Sequence, residues 1–150
     1  MFSEKCNRAI KKALKLMEEE CPKYSSGPEM TSSQSAKAFW ELRLYGKKNE
    51  QFDVLFLDSQ HRKIACETLF KGTINASSVY PRVIIQKIIE HNAAAIMLGH
   101  NHPSGLAEES LADKNVTDKI VKACNTIDVA VLDHVIVGDS VMSFAEKGLL

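Results

Sequence analysis

The 150-residue sequence lacks an excess of charge of either sign. Lysine plus arginine and aspartate plus glutamate number 19 each, so the formal net charge is zero. Gripping nucleic acid through its phosphates needs a basic face, and this balance argues against that as the main task. The chain also lacks any apolar run long enough to span a bilayer, and no run of signal-peptide form opens it. It is therefore expected in the cytoplasm and off the membrane. The four cysteines, Cys6, Cys21, Cys66 and Cys124, include no C-x-x-C pair. They read as reduced, mostly buried thiols, and a disulfide framework is not expected. There is no internal repeat and no low-complexity segment. What is present is 45% hydrophobic residues, ample for the core of one domain.

Periodicity divides the chain. Residues 3–20 form an amphipathic helix in which Ile10, Leu14 and Met17 recur at helical spacing, and Cys21-Pro22 stops it. The stretch "PKYSSGPEMTSS" reads as a linker. Ser33 is positioned to cap a second helix, with Ala36, Phe39 and Trp40 inward and Gly46 at its end. "FDVLFLD", the turn "DSQHRK" and "IACETLFKG" predict an antiparallel hairpin. "SSVYPRVIIQKIIEHN" predicts a helix with Pro81 in its first turn, an apolar face of Val83, Ile84, Ile88 and Ile89, and Asn92 as a left-handed cap. "AAAIMLGH" is apolar throughout, as a buried central strand should be. A helix over about 110–125 and a strand "VAVLDHVIVG" complete the order α-α-β-β-α-β-α-β, an α/β sheet with flanking helices.

The chemistry concentrates in "LGHNHPSGLAEESLAD". Residues i and i+2 of an extended chain share a side, so His100 and His102 can aim two imidazoles at one point. Pro103 and Ser104-Gly105 turn the chain, and Asp113 follows in the first turn of the next helix. A His, His, Asp set with one position left open suits a catalytic zinc site, in which the metal lowers the pKa of its bound water to about 7. A plainer reading stands beside it. The histidines can be a polar rim of the sheet, and Ser110 with Asp113 has the spacing of a capping box. The nuclease motif called HNH spreads its residues over a longer unit, so the letters His100-Asn101-His102 do not indicate it. A zinc deaminase needs H-x-E followed by P-C-x-x-C, and neither is present.

These residues resemble a known family. His100-x-His102-Pro103 with Ser110-x-x-Asp113 is similar to the JAMM motif of JAB/MPN metallopeptidases. Within that superfamily "NAAAIMLGHNHPSG" and "LDHVIVG" resemble the RadC branch, and "EQFDVLFLD", "FKGTINASSVYPR" and "SFAEKGLL" agree in the same order. The resemblance runs from about Thr31 to the C-terminus. It implies a JAB/MPN-type, cytidine-deaminase-like mixed sheet over residues 31–150, preceded by a helix and linker over residues 1–30. It implies Zn²⁺ on His100, His102 and Asp113, Glu50 as general acid/base and Ser110 as oxyanion donor, acting on a peptide or isopeptide bond of a protein or peptide substrate. Glu41, Glu67 and Glu90 are the competing acids, none at the family's position. Glu50 as a solvated acid and Ser110 as a helix cap are the plainer readings of those two residues.

The middle residue Asn101 fits the RadC branch, whereas deubiquitinating branches carry Ser or Thr there. Pro81-Arg82-Val83 departs from the Pro-Arg-Glu common in the family. The helix-hairpin-helix of longer RadC proteins is not legible in residues 1–30, so the reading is of a short form. His61 and His91 are expected to be solvated. His134, beside Asp133, is either a satisfied histidine in a strand or a supporting group near the zinc. Substrate choice is assigned to residues 71–80 and 103–109, and oligomeric state is left open.

A second reading, a DNA-associated accessory protein, follows from the repair label the family carries. The charge balance gives this reading little support but does not exclude a local basic patch, so nucleic acid stays a possible partner. A binding titration across salt checks this, because phosphate contacts would give a steeply negative slope.

Overall fold

Alternation along the strands decides which side chain meets which layer. The computed structural model describes residues 3–19, 30, 32–74 and 78–150. Its elements run α1 (Glu4–Glu19), α2 (Ser33–Leu44), β1 (Gln51–Leu57), β2 (Lys63–Lys71), α3 (Pro81–His91), β3 (Ala95–Asn101), α4 (Leu111–Asn125), β4 (Ala130–Val137) and β5 (Val141–Ser143). The sheet order is β2-β1-β3-β4-β5, with β3 and β4 parallel and the other neighbours antiparallel. This is the mixed sheet with flanking helices that the sequence implied, extended by the three-residue β5.

In β1, Phe52, Val54 and Phe56 turn toward α3 and α4, where they pack with Ile84, Ile88, Val116, Ile120 and the β3 residues Ile96 and Leu98. Leu55 and Leu57 turn the other way, toward Ala36, Trp40 and Leu44 of α2. A helix layer on each face explains why β3 is buried along its whole length. Each large side chain taken fully from water contributes roughly 1.5–3 kcal/mol. Asp53 is buried on the α2 face, where a carboxylate is tolerable because Arg43 donates to its Oδ2 at 2.5 Å and Gln51 to its Oδ1 at 3.1 Å.

Local differences from the expected pattern have plain causes. The α2 cap is Ser32, not Ser33. Its hydroxyl accepts the Ser35 N–H at 3.1 Å in a capping box, and Gly46 lies beyond the helix at φ +72°. Asn92 is the left-handed cap of α3. Ile89 is 69% exposed, because only Ile84 and Ile88 face the sheet. Most of the expected linker lies outside the described residues, but Met30 belongs to the core and donates its N–H to the His61 carbonyl. In α1 the side chains of residues 14–19 also lie outside the described residues, and Ile10 shares a groove with Ala38 and Leu42 of α2. Cys6 is exposed and Cys21 is outside the described residues. Burial pushes the Cys66 thiol up to about 12 and the Cys124 thiol up to about 11, so these two are inert. None of the described helices is long and apolar enough to cross a membrane.

The tightest contact across the α2 face is between Trp40 and Gly99 of β3. A β-carbon at Gly99 would lie 2.4 Å from the Trp40 ring. Gly99→Ala is therefore expected to cost about 1–3 kcal/mol through overpacking. Urea denaturation of the single variant and of Gly99→Ala/Trp40→Leu checks it, the second change recovering part of the loss.

Candidate metal centre

Three elements deliver the site. β3 runs toward its C-terminal end with Ile96, Leu98 and His100 on the α3/α4 face, so His100 continues an apolar row and is fully buried. Beyond the strand, His102 keeps the same side, and its N–H donates to the Val137 carbonyl at 2.8 Å. Asp113 enters from the first turn of α4. Nε2 of His100 lies 2.8 Å from Nε2 of His102 and 3.1 Å from Asp113 Oδ1, and His102 Nε2 lies 3.6 Å from Asp113 Oδ2. Glu50, half-buried just before β1, brings a carboxylate oxygen within 4.8 Å of both imidazoles. The structure thus gathers His100, His102, Asp113 and Glu50 in one place.

Ser110 is the N-cap of α4. Its N–H and its hydroxyl donate to Asp113 Oδ2 at 2.7 and 2.6 Å, and its oxygen accepts the Asp113 N–H at 3.1 Å. One carboxylate oxygen is thereby anchored, and Oδ1 faces His100. Burial alone would raise the Asp113 pKa, but the adjacent His100 and His102 imidazoles and the Ser110 hydroxyl hold it well below the usual carboxylate range. Asp113 holds the His102 imidazole above its ordinary value, against a smaller opposing effect of burial.

The donor set fits a zinc ion. Ligand atoms about 2.0–2.1 Å from a tetrahedral ion sit roughly 3.3 Å apart, close to the separations among the two Nε2 atoms and the Asp113 oxygens. His102 Nδ1 donates to the Leu106 carbonyl at 2.6 Å, since a carbonyl can only accept, and this leaves the Nε2 lone pair of the neutral ring facing the site. Two imidazole nitrogens and a carboxylate therefore converge with no lysine or arginine among them.

Surrounding residues aim these groups. Asn101, on the opposite face of β3 from His100, donates to the carbonyls of Lys47 and Asn49 at 3.2 and 3.1 Å and accepts the Gln51 N–H at 2.8 Å. It holds the segment on both sides of Glu50. Asp133 accepts from the His134 N–H, the Ser143 hydroxyl and the Ala145 N–H, tying β4 to β5 and the C-terminal turn. His134 is fully buried and reaches His100 Nδ1 through its Nε2 at 2.8 Å, so the satisfied strand histidine is also the neighbour of a site residue. Burial, more than the nearby His100, pushes its pKa well below the ordinary value. The sequence did not single out Thr117, whose buried Oγ1 lies 2.6 Å from His134 Nδ1. Its place four residues after Asp113 puts both on one helix face, which is the only signal it offered.

The other titratable residues lie elsewhere. His91, expected to be solvated, is half-buried against the Phe56 ring at 4.7 Å, and its Nε2 meets Glu67 at 2.5 Å, because α3 ends over β2. Its neighbour Lys87 also pairs with Glu67 and with Glu90. Both of those competing acids are thus engaged in ion pairs, and Glu41 is exposed on α2. His61 sits in the β1–β2 turn, partly exposed at φ +57°.

A family model described as RadC-like JAB domain matches residues 30–149. Among similar proteins, a UPF0758 protein of Vibrio cholerae serotype O1 is 50% identical over 123 residues, which is 81% of this chain and 55% of that protein. A UPF0758 protein of Thioalkalivibrio sulfidiphilus is 49% identical over 124 residues, 83% of this chain and 56% of its own. A further Vibrio cholerae UPF0758 protein is 41% identical over 144 residues, with 96% of this chain and 89% of that protein covered. The chain spans about half the length of the first two.

The loop that carries His102 rests on two glycines. Gly105 has φ +90° and its carbonyl accepts the Asp139 N–H at 2.7 Å, while a β-carbon at Gly138 would lie 2.4 Å from the Gly105 oxygen. Gly138→Ala is expected to displace the loop and weaken divalent-metal binding by about 10–100-fold, as loss of an outer support does. Competition against a chromophoric chelator measures it.

Proposed function

Because the chain belongs to the RadC-like JAB domain family, we propose that it is a zinc-dependent metallopeptidase or isopeptidase holding the ion on His100, His102 and Asp113. One observation carries this reading: two imidazole nitrogens and a buried carboxylate converge within 2.8–3.6 Å of one another. The substrate class, a protein or peptide, is part of the proposal. A zinc ion held there would supply Lewis-acid polarisation of the scissile carbonyl and would lower the pKa of a bound water to about 7.

The residues divide the remaining work by how freely each can move. Asp113 is clamped by three hydrogen bonds with Ser110, which suits a ligand and not a proton shuttle. Glu50 is half-buried and is not clamped in this way, and its carboxylate comes within 4.8 Å of both imidazoles, near enough to reach a water between them. It takes the proton of the attacking water and passes it to the leaving amine. The Ser110 hydroxyl lies at the rim of the site. Its backbone N–H keeps Asp113 anchored when the hydroxyl turns to donate to the oxyanion of the tetrahedral intermediate. Beside His102 opens a cleft of about 370 Å³ lined by Tyr45, Lys47, Lys48, Pro103 and Asp139, large enough for part of a peptide.

Elemental analysis tests the proposal at its base. Wild type purified without chelators is expected to carry roughly one zinc per chain, as a three-ligand catalytic site does. His100→Ala and Asp113→Ala are expected to lose it, and a zinc-free wild type would overturn the reading. Glu50→Gln is expected to keep zinc while turnover of a cleavable peptide or isopeptide falls about 10²–10⁴-fold.

A further inference from the structure

A neutral histidine becomes a metal ligand through Nε2 only when its proton sits on Nδ1, and something must hold it there. For His102 the Leu106 carbonyl does so. For His100 the Nδ1 partner is no carbonyl but a second imidazole, His134, which can donate or accept. The direction of that hydrogen bond decides whether His100 presents a lone pair or a proton to the site.

The direction can be read by following the chain of contacts to its end. Thr117 Oγ1 lies 2.6 Å from the Asp113 backbone carbonyl, one turn earlier in α4. A carbonyl only accepts, so the single hydroxyl hydrogen of Thr117 is spent there. The same Oγ1 lies 2.6 Å from His134 Nδ1. With its hydrogen committed, Thr117 can only accept, and His134 Nδ1 must carry the proton. His134 is fully buried, against the Phe52 and Phe144 rings, with no carboxylate bonded to its ring. A charged imidazole there would have no directly bonded anion to offset its burial, so the ring is neutral and its Nε2 bears a lone pair. That lone pair accepts from His100 Nδ1 at 2.8 Å. His100 Nε2 is left unprotonated, facing His102 and Asp113.

We propose that Thr117 and His134 are positioning residues that set the tautomer of His100 for metal binding, through a relay anchored on the Asp113 backbone carbonyl. The inference rests on the zinc reading above. It adds that α4 supplies two functions from one turn, a ligand in the Asp113 side chain and an anchor in the Asp113 carbonyl. Neither His134 nor Thr117 touches the ion. Each acts through His100.

Long-range ¹H–¹⁵N correlation spectra of the chelator-treated, metal-free protein test the relay directly, because ligation would itself impose the tautomer. His100 and His134 are both expected to carry their proton on Nδ1. Thr117→Val keeps the branched shape and removes the acceptor. It is expected to release His134 to the other tautomer, move the His100 proton to Nε2 and raise the zinc Kd about 10–100-fold. Thr117→Ser restores the hydroxyl and is expected to return both the spectrum and the affinity to wild type. A merely structural threonine would leave the His100 tautomer unchanged in Thr117→Val. A wild-type His100 protonated on Nε2, or wild-type zinc affinity in Thr117→Val, overturns the relay. If wild type shows the expected tautomers yet takes up no zinc, the relay stands and the zinc reading falls.

Discussion

Two imidazole nitrogens and a carboxylate lie within 2.8–3.6 Å of one another in a nearly dry corner, a crowding that the surrounding fold must maintain. Much of this structure exists to hold them there. His100 is fully buried and Asp113 is 2% exposed, so neither can relax its mutual contacts by turning to water. The protein supplies the restraint from three directions: the end of a central strand, a loop pressed on the β4–β5 turn, and the first turn of a helix whose cap clamps Asp113.

The two faces of β3 divide the labour. On one, His100 continues the row of Ile96 and Leu98 into the α3/α4 core. On the other, Gly99 admits the Trp40 ring and Asn101 binds the segment around Glu50. Packing that looks purely structural therefore sets the separation between the imidazoles and the Glu50 carboxylate. The middle residue of the H-N-H triplet points away from the imidazoles, and its work is done on the backbone of residues 47–51.

The sheet's one shift in the parallel pairing matters as much. Between β3 and β4 the register skips from Ile96↔Val131 to Met97↔Asp133. Val131 packs on the α3/α4 core, and strict alternation from it would send His134 toward α2. The irregularity reverses the alternation, and His134 arrives on the face of His100 instead. The buried aspartate next to it, bonded to Ser143 and Ala145, secures the strand just past that point.

The elements themselves were legible because their signals are local. The alternation in "FDVLFLD", the Pro81 start and Asn92 cap of α3, and the apolar run before His100 each depend on neighbours a few residues away. The i, i+2 spacing likewise brought His100 and His102 to one side, and the S-x-x-D spacing set the cap of α4. β5 was not legible, since three residues pair only because β4 is already in place. The half-burial of His91 was missed for the same reason, because a helix end shows no sign of the strand it will cover. The sequence by itself determined which residues could bind a metal and which elements would carry them, since both follow from residue type and short-range periodicity. Only the tertiary structure decided that His134 and Thr117 stand behind His100, that Asn101 holds the Glu50 segment, and that two glycines let the His102 loop close. Those contacts join residues up to 54 positions apart, and their geometry comes from a register shift, a helix crossing and a close backbone approach that no local pattern encodes.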